Sequence, residues 1–491
     1  MTWREYHELT KHTVESLRRT QHYLDWTNVP NPFRHYEGAP VVDLPADPPA
    51  PQISALEVLD GKTGNTLARG GAEFLSQLMY YSASISASKR VPSGAIYSLR
   101  VNPSSGNLHP TEFHFCTRGL VDWSDGLYHY RPSSHMAEQR AIGDFGAKLV
   151  NNSAPLIFVL TSIAWREAWK YRDRAYRYCL HDIGHAWQAL TLAARSLGSE
   201  NFAIGHFCDD RVAESCLLSA DEWPMLIVGL HCPSIPMNKQ NVDETVVFGG
   251  QPNRLSEERK SYPLIEGIHS ATRLSTESTI PSLGEPKVSG HGEVSLPPLV
   301  STNHSFGDVV RTRRSALDFK GGRESISFPQ LATLLSTTRE RLFADFATHR
   351  YIHLYLYVHR VEGLEPGVYR FWPEHAELER IKAGDQRMVA AALSLGQDLA
   401  GNACVAFSMI GDFENAARRY GDRGYRYVHF EAGAIGQRMY LAAEALGLGA
   451  TGIGAFFDEE VNRYLGLSSE LGQVVYHFAI GYPVADPRLK A

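Results

Sequence analysis

The clearest hydrophobic pattern in the chain is helical. In residues 426–446 small and apolar side chains recur at spacings of three and four, which predicts a helix with one closely packed face. These positions are Ala432, Gly433, Gly436, Met439, Tyr440 and Ala443. Glycines at residues 447 and 449 end the pattern, as is typical of helix C-termini. Short apolar runs at residues 154–161, 225–228 and 474–480 predict buried strands.

The helical pattern belongs to an internal repeat with a period of about 250 residues. Residues 168–198 align without gaps on residues 417–447, with 14 identities in 31 positions. A repeat this long indicates a duplicated domain, because each copy holds enough elements to close its own core. We therefore predict an α+β fold of two tandem domains. The two matching long helices should pack against each other around a pseudo-twofold axis, as in a dimer within one chain.

Changes in composition along the chain predict four segments. These are an N-terminal arm at residues 1–50, a first domain at 51–233, a linker at 234–307 and a second domain at 308–491. The linker is rich in Pro, Gly, Ser and charge and weak in periodicity, which predicts a surface segment. With 491 residues, 43% of them hydrophobic, the chain can supply the cores of two domains.

Charge and composition exclude several classes of function. The formal net charge of −6 gives no basic field for nucleic acid or an anionic membrane surface. The polar start offers no secretion signal and no later run approaches a membrane span, so we predict a cytoplasmic protein with a small-molecule or peptide substrate. The six cysteines show no ligand-like spacing, so no metal site is expected.

Three local motifs carry candidate chemistry. Residues 309–319, VVRTRRSALDF, place guanidinium groups beside a hydroxyl, which suits a phosphate or an electron-rich ring edge. Residues 447–457, GLGATGIGAFF, could lay backbone N–H groups against a flat ring. Residues 100–112 of the first copy, RVNPSSGNLHPTE, form a predicted turn of Ser, Gly and Asn. Each motif alone also fits an ordinary helix end, helix C-cap or turn.

Taken together, these motifs resemble the nitroreductase superfamily of FMN enzymes. Within it they resemble the SagB-type dehydrogenases, which include azoline oxidases of peptide natural-product pathways. The likeness covers both copies, about 400 residues. It implies a dimeric fold with FMN at the interface, where one subunit supplies Arg-x-Ser and the Gly-rich segment and the other supplies Pro-Ser-Ser-x-Asn.

In this chain the two halves of such a site are divided between the copies. The first copy has the turn, but residues 59–65 stand where Arg-x-Ser is expected; the second has Arg-x-Ser, but residues 337–349 lack the turn. The resemblance therefore implies one complete site and one FMN per chain. From the second copy it implies Arg313, Arg314, Ser315, Gly452, Ile453, Gly454, Ala455 and Arg488 as cofactor-binding residues. From the first copy it implies Pro103, Ser104, Ser105 and Asn107.

The resemblance to azoline oxidases extends to a Lys-Tyr pair just before the long helix. The first copy has Lys170 and Tyr171 there, whereas the second copy has Arg419 and a tyrosine. Lys170 is the candidate base for a reaction in which the flavin takes hydride at N5, with Tyr171 as proton donor or orienter. A nearby Arg174 would lower the pKa of the Lys170 amine and favour its neutral form, whereas Asp173 would oppose that shift. An ionic helix start is the alternative interpretation of the pair.

Three functions stay open at this point. The first is an FMN-dependent dehydrogenase that acts on a small-molecule or peptide-derived substrate. The second is a nitro or quinone reductase driven by NAD(P)H. The third is a non-catalytic flavin-fold subunit of a biosynthetic complex. Partner enzymes of a biosynthetic pathway are expected in that third case and possible in the first. The complementary losses favour an enzyme, because a decaying site would not keep complementary halves. The sequence leaves open the substrate, the electron acceptor, the proton acceptor and any further oligomerisation.

Overall fold

The computed structural model describes residues 1–19, 23–90, 94, 96–150, 154–232, 235–238, 245–276, 279–280 and 290–489. The boundary predicted between residues 233 and 234 lies outside them. The helices are α1 Trp3–Leu9, α2 Val14–Arg19, α3 Ala55–Leu59, α4 Gly71–Tyr80, α5 Gly146–Leu149, α6 Ala164–Tyr171, α7 Ala175–Ser196, α8 Asp209–Ser215, α9 Pro263–Thr272, α10 Phe306–Thr312, α11 Phe328–Ser336, α12 Arg387–Leu393, α13 Asp398–Asn402, α14 Phe413–Tyr420, α15 Gly424–Ala445 and α16 Asp458–Leu465. Short 3-10 helices lie at Trp26–Asn28, Ser105–Asn107, Arg172–Arg174 and Gly421–Arg423.

The strands form two large sheets and several two-stranded ribbons. They are β1 Tyr36–Glu37, β2 Val41–Asp43, β3 Ile85–Arg90, β4 Ile96–Arg100, β5 Thr111–Thr117, β6 Gly126–Arg131, β7 Met136–Ile142, β8 Leu156–Ser162, β9 Glu200–Ile204, β10 Trp223–His231, β11 Val246–Val247, β12 Gln251–Pro252, β13 Val294–Ser295, β14 Ile326–Ser327, β15 Ile352–Val358, β16 Val361–Glu362, β17 Gly367–Trp372, β18 Glu377–Ala383, β19 Val405–Gly411, β20 Gly449–Ile453 and β21 Gln473–Gly481. The apolar runs predicted as strands lie in β8, β10 and β21.

The two large sheets have the same strand order, as duplication predicts. The first runs β11-β7-β6-β5-β8-β10-β9, with β2 also paired to β7, and the second runs β13-β18-β17-β15-β19-β21-β20. Neighbouring strands are antiparallel in both. Sequence and structure agree on a pair of tandem α+β domains related as a pseudo-dimer.

The long helices α7 and α15 pack against each other between the sheets. A Cβ atom on Gly184 would overlap the carbonyl oxygen of Phe430, and one on Gly433 would overlap that of His181. These contacts are reciprocal, because the repeat relates Gly184 to Gly433 and His181 to Phe430. Only glycine permits this approach of the two backbones, so the predicted pairing of small-residue faces is confirmed.

Two reciprocal ion clusters hold the copies together. Asp458 lies 2.9 Å from Arg174 and 2.8 Å from Arg177, all of them buried. At the repeated positions Asp209 contacts Arg423 and Arg426 at 2.6 and 2.9 Å. Burial alone would raise the pKa of Asp209, but the two arginines hold it below its ordinary value.

The arm and the linker are more integrated than their composition predicts. Strand β2 of the arm and strand β11 of the linker extend the first sheet, and β13 of the linker extends the second. Helix α9 lies in the linker, yet it buries Ile265, Ile268 and Thr272. Thr272 accepts a hydrogen bond of 2.9 Å from Arg426. The linker is therefore a surface segment only in part, because α9 has an apolar face that packs beside the central helices. Among the described residues, no helix combines the length and apolarity that crossing a bilayer requires.

Candidate functional site

A cavity of about 350 Å³ lies between the two copies. Its volume is in the range of small-ligand sites. The cavity lining contains most of the residues predicted from the sequence, namely Pro103, Ser104, Ser105, Asn107, Tyr171, Arg313, Arg314, Ser315, Gly452, Ile453, Gly454 and Ala455. The folded chain thus brings together two sets of residues that are more than 140 positions apart.

The first-copy turn is held by hydrogen bonds from within its own copy. The backbone N–H and the hydroxyl of Ser105 donate to Asp182 of α7 at 3.0 and 2.9 Å. Ser104 Oγ accepts from the backbone N–H of His109 at 2.8 Å, and Asn107 donates to the carbonyl oxygen of Ser98. The polar side chains of the turn therefore fix its shape, and the turn presents its surface to the cavity.

Asp182 lines the cavity and was missed by the motif search. Burial raises the pKa of Asp182 to about 7, against the opposing hydrogen bonds from Ser104 and Ser105. At the repeated position of α15, burial likewise raises the pKa of Glu431 to about 7. The signal in the sequence that could have found it was an acidic residue at the same position of both repeated helices.

Lys170 and Tyr171 end helix α6 beside the turn. A Cβ atom on Gly106, which has a φ of +58°, would lie 2.7 Å from Tyr171 Oη and 3.0 Å from Lys170 Nζ. Both polar tips thus converge over the turn, but only Tyr171 lines the cavity, and Lys170 lies beside the turn outside the lining. Burial raises the pKa of Tyr171 well above its ordinary value, which keeps the phenol protonated as a hydrogen-bond donor.

The ionisable side chain beside Lys170 is not Arg174, the one suggested from the sequence. Arg174 donates to Asp458 and to Tyr178 instead, as part of the ion cluster between the copies. The group that interacts electrostatically with Lys170 is Glu167, a buried carboxyl one turn earlier on α6. Burial raises the pKa of Glu167 well above its ordinary value, which favours its neutral form.

Arg313 is 4% exposed and lies at the cavity with unsatisfied donors. Its guanidinium carbon lies 5.0 Å from the centre of the Tyr440 ring, and its Nη2 donates to the carbonyl oxygen of Arg100 at 3.3 Å. Its Nε and Nη1 have no hydrogen-bond partner among the described residues. Leaving buried guanidinium donors unpaired is costly, so a ligand with acceptor atoms would stabilise this arrangement.

Arg314 and Ser315 brace the boundary between the copies. Arg314 donates to the carbonyl oxygens of Arg313 and Ser86, at 2.6 and 3.1 Å, and so joins the β3–β4 hairpin to the second copy. Ser315 Oγ lies 3.0 Å from Tyr440 Oη, which accepts the backbone N–H of Gly452 at 2.8 Å. This chain of hydrogen bonds fixes the Arg-x-Ser segment against the Gly-rich strand β20.

Arg488 does not belong to the cavity lining. It pairs with Asp486 at 2.8 Å, and the same carboxylate binds Lys89 Nζ at 2.8 Å. Lys89 of β3 does line the cavity. The positive charge at this edge of the cavity is therefore that of Lys89, in a first-copy hairpin that carries no recognisable motif. Arg488 pairs with the same carboxylate, that of Asp486, but does not line the cavity.

The pseudosymmetric position is filled by the chain itself. Asp345 accepts hydrogen bonds from the backbone N–H groups of Gly205 and His206, at 2.8 and 3.1 Å. These residues correspond to Gly454 and Ala455, which line the cavity in the other half. Phe346 stacks on Tyr427, the counterpart of Tyr178, with ring centres 4.3 Å apart and planes 8° apart. The segment that replaces the turn in the second copy thus occupies the place of a second site.

The fold, with its central helix pair and a cavity between duplicated domains, defines a class of α+β protein built as a pseudo-dimer within one chain. The nitroreductase family model matches residues 89–230 and 310–482, and the chain belongs to this family. MJ1384 of Methanocaldococcus jannaschii, named for the nitroreductases, is 38% identical over 181 residues, which cover 35% of this chain and 89% of that protein.

Two further similarities concern the whole fold and a shorter region. A protein from Anabaena variabilis that is described as a nitroreductase has a known crystal structure and is 26% identical to this chain. The two structures match with a TM-score of 0.77, over 98% of this chain and 99% of the other. The microcin B17-processing protein McbC of Escherichia coli is 28% identical over 144 residues, which cover 26% of this chain and 52% of McbC. The chain thus matches about half the length of McbC.

Proposed function

We propose that this protein is an FMN-dependent dehydrogenase of the SagB type, with one composite site per chain between its two copies. The observation that carries the proposal is the pairing of one cavity, lined from both copies, with a pseudosymmetric position that Asp345 and Phe346 fill. The substrate would be a small molecule or a peptide-derived heterocycle.

The cavity residues fit a planar anionic cofactor. Buried Arg313 offers donors without partners, and Lys89 and Arg314 add positive charge at the same cavity. Arginine matches phosphate and electron-rich ring edges well. In this proposal Arg313, Arg314, Ser315 and residues 452–455 hold FMN from the second copy. Residues 103–105 and Asn107 hold it from the first.

The first copy would supply the proton chemistry. When bound, FMN supplies a hydride acceptor at N5. Lys170 would take the proton that leaves the substrate at its Nζ atom, and the protonated phenol of Tyr171 would orient the substrate by donating a hydrogen bond. Their convergence over Gly106, at the edge of the cavity, supports this division of roles.

The relatives guide the choice of substrate. McbC is named for the processing of microcin B17, and its similarity supports a peptide-derived substrate and partner enzymes of a biosynthetic pathway. We propose that the protein acts with such partners in the cytoplasm. An NAD(P)H-driven reductase would use the same cavity. The dehydrogenase and the reductase differ in the electron donor, which is the peptide-derived substrate in the first and NAD(P)H in the second.

The proposal is tested first by flavin content. The purified protein should contain close to one FMN per chain by its visible absorbance, and Arg313→Ala should lose the flavin. Two FMN per chain, or none after reconstitution, would contradict a single composite site.

The second test separates chemistry from cofactor binding. Lys170→Ala should keep FMN and lose turnover of an azoline-containing peptide, by roughly 100-fold or more if general base catalysis is removed. Arg419→Ala is the matched control, because Arg419 holds the repeated position and donates to Thr348 at 2.8 Å. It should retain both flavin and turnover. A Lys170→Ala protein with the full rate would refute the base assignment, and rapid oxidation of NAD(P)H without turnover of the peptide would favour the reductase.

A further inference from the structure

A second cavity, of about 650 Å³, lies against the sheet of the second copy. Strands β15 and β17, the start of α14 and the segment after α11 line it. Its polar lining includes His353, Arg370, Arg350 and Arg339. None of these residues lines the cavity proposed for the flavin.

The repeat shows what occupies the same place in the first copy. Glu112 pairs with Thr161 of β8 as His353 pairs with Ile410 of β19, so Glu112 and His353 are equivalent positions. By the same register His129 corresponds to Arg370. The first-copy positions are not open, because residues 31–36 of the N-terminal arm lie over them.

The arm binds this face as an extended peptide would. Arg166 of α6 donates to the carbonyl oxygen of Asn31 at 3.0 Å, and the backbone N–H of Tyr36 donates to Glu138 at 3.2 Å. Arg34 of the arm pairs with Asp221 at 2.8 Å and lies 3.7 Å from Glu222. A cationic arm residue thus meets an acidic face.

In the second copy the equivalent positions carry one carboxylate fewer. Arg370 replaces His129 and His353 replaces Glu112, while Glu379 keeps the acidic residue found at Glu138. The guanidinium carbon of Arg370 lies 3.8 Å from the centre of the Trp372 ring, and in the described chain Arg370 has no ion pair and no side-chain hydrogen bond. The Nε atoms of Arg350 and Arg370 are both buried without a partner in this part of the structure.

The carboxylates of the cavity do not neutralise these arginines. Glu340 pairs with Arg195 and Arg438 at 2.8 and 2.6 Å. Asp412 accepts from the backbone N–H of Asn415 at 3.1 Å and so caps α14. Asp60 and Glu374 are exposed at the rim. The inner wall of the cavity therefore offers guanidinium donors that call for an anionic partner.

We propose that this cavity binds an extended acidic peptide segment, with a carboxylate at Arg370. Arg350, whose Nη atoms donate to the carbonyl oxygens of Thr338 and Arg339 at 2.9 and 3.0 Å, adds positive charge beside it. The ligand would take the place that the arm takes in the first copy. This inference is independent of the flavin chemistry, since it concerns a different cavity and a binding step. An extended peptide that carries several carboxylates is the partner that this chemistry would recognise.

The experiment uses the full-length protein and a fluorescein-labelled peptide, Gly-Glu-Glu-Gly-Glu-Gly. Fluorescence anisotropy should show binding, and the matched peptide with Gln in place of Glu should bind roughly tenfold more weakly or worse, as expected when charged hydrogen bonds are lost. Arg370→Gln should weaken binding of the Glu peptide by a similar factor, and Arg370→Lys by less. The control Arg387→Gln removes the same charge from a surface pair with Asp385 and should change nothing.

Three results would overturn the proposal. They are equal binding of the two peptides, full binding by Arg370→Gln, and displacement of the peptide by inorganic phosphate at the same concentration, which would indicate a simple anion site. Should Arg370→Gln fail to fold, Arg339→Gln removes a positive charge from an exposed residue of the same cavity and should also weaken binding. The flavin absorbance of every variant, recorded in parallel, separates failure of this proposal from failure of the proposed enzyme function.

Discussion

The carboxylate of Asp345 accepts a hydrogen bond of 2.8 Å from the backbone N–H of Gly205. In the other half of the molecule the equivalent of Gly205 is Gly454, which lines the interface cavity. One backbone feature therefore occurs twice, once facing a cavity and once capped by a side chain. The asymmetry of this protein lies in what covers the glycine-containing segment, while the segment itself is kept in both copies.

Removing the ring that fills the pseudosymmetric position should cost stability without creating a second site. Phe346 is 1% exposed and stacks on Tyr427, so Phe346→Ala should lower the free energy of unfolding by about 3–5 kcal/mol in urea denaturation. Flavin content should stay at one per chain, because Asp345 still caps Gly205. Phe343→Ala is the control in the same segment, since Phe343 is 69% exposed and should leave stability nearly unchanged. A second bound flavin in Phe346→Ala would contradict this account.

Adding a methyl group at Gly106 should disturb the Lys170–Tyr171 pair. The new Cβ would lie 2.7 Å from Tyr171 Oη, so the phenol must move, and we expect turnover per bound flavin to fall about tenfold or more. Gly466→Ala is the matched control, because Gly466 is also in the left-handed helical region, with φ of +72° and ψ of +26°, and nothing lies within 4 Å of its Cβ position. Both variants pay a backbone cost of roughly 1–2 kcal/mol, but only Gly106→Ala should lose rate. Equal rates would show that the position of the pair does not matter.

The stability of the protein should depend on the ionisation of Asp182. Its folded pKa of about 7 lies above the unfolded value near 3.9, so the folded state holds a proton that the unfolded chain releases between these pH values. Stability from this group therefore falls as pH rises from about 4 to about 7 and is constant above. Asp182→Asn cannot ionise and should gain stability relative to the native protein across that window, by at most on the order of 4 kcal/mol.

Urea unfolding at a series of pH values measures this difference. Glu431→Gln is the comparison in the second copy, because burial also raises the pKa of Glu431 to about 7, and it should show the same direction of change. Only Asp182→Asn should also alter the pH profile of turnover, since Asp182 lines the cavity and Glu431 does not. A difference between Asp182→Asn and the native protein that is independent of pH would refute the raised pKa.

Much of the architecture could be predicted from residues close together in the chain. The helical spacing of Gly433 and Gly436 and the repeat of residues 168–198 were sufficient to predict the central helix pair and the duplicated fold. The position of the linker helix α9 was not predicted, because its short apolar face is buried only by residues remote in the chain. One of these is Arg426, which donates a hydrogen bond to Thr272. Asp182 was missed for a similar reason, since its pKa depends on burial.

The sequence by itself determined that this protein is a duplicated α+β fold whose copies kept different motifs, because periodicity and repeated residue identities are recorded in chain order. Only the tertiary structure decided which residues share a cavity. It brought Arg313 and Lys89 to one site, placed Phe346 where a second site would lie and left the face around Arg370 open. These outcomes depend on distances and burial between segments remote in the chain, and local pattern carries no information about them.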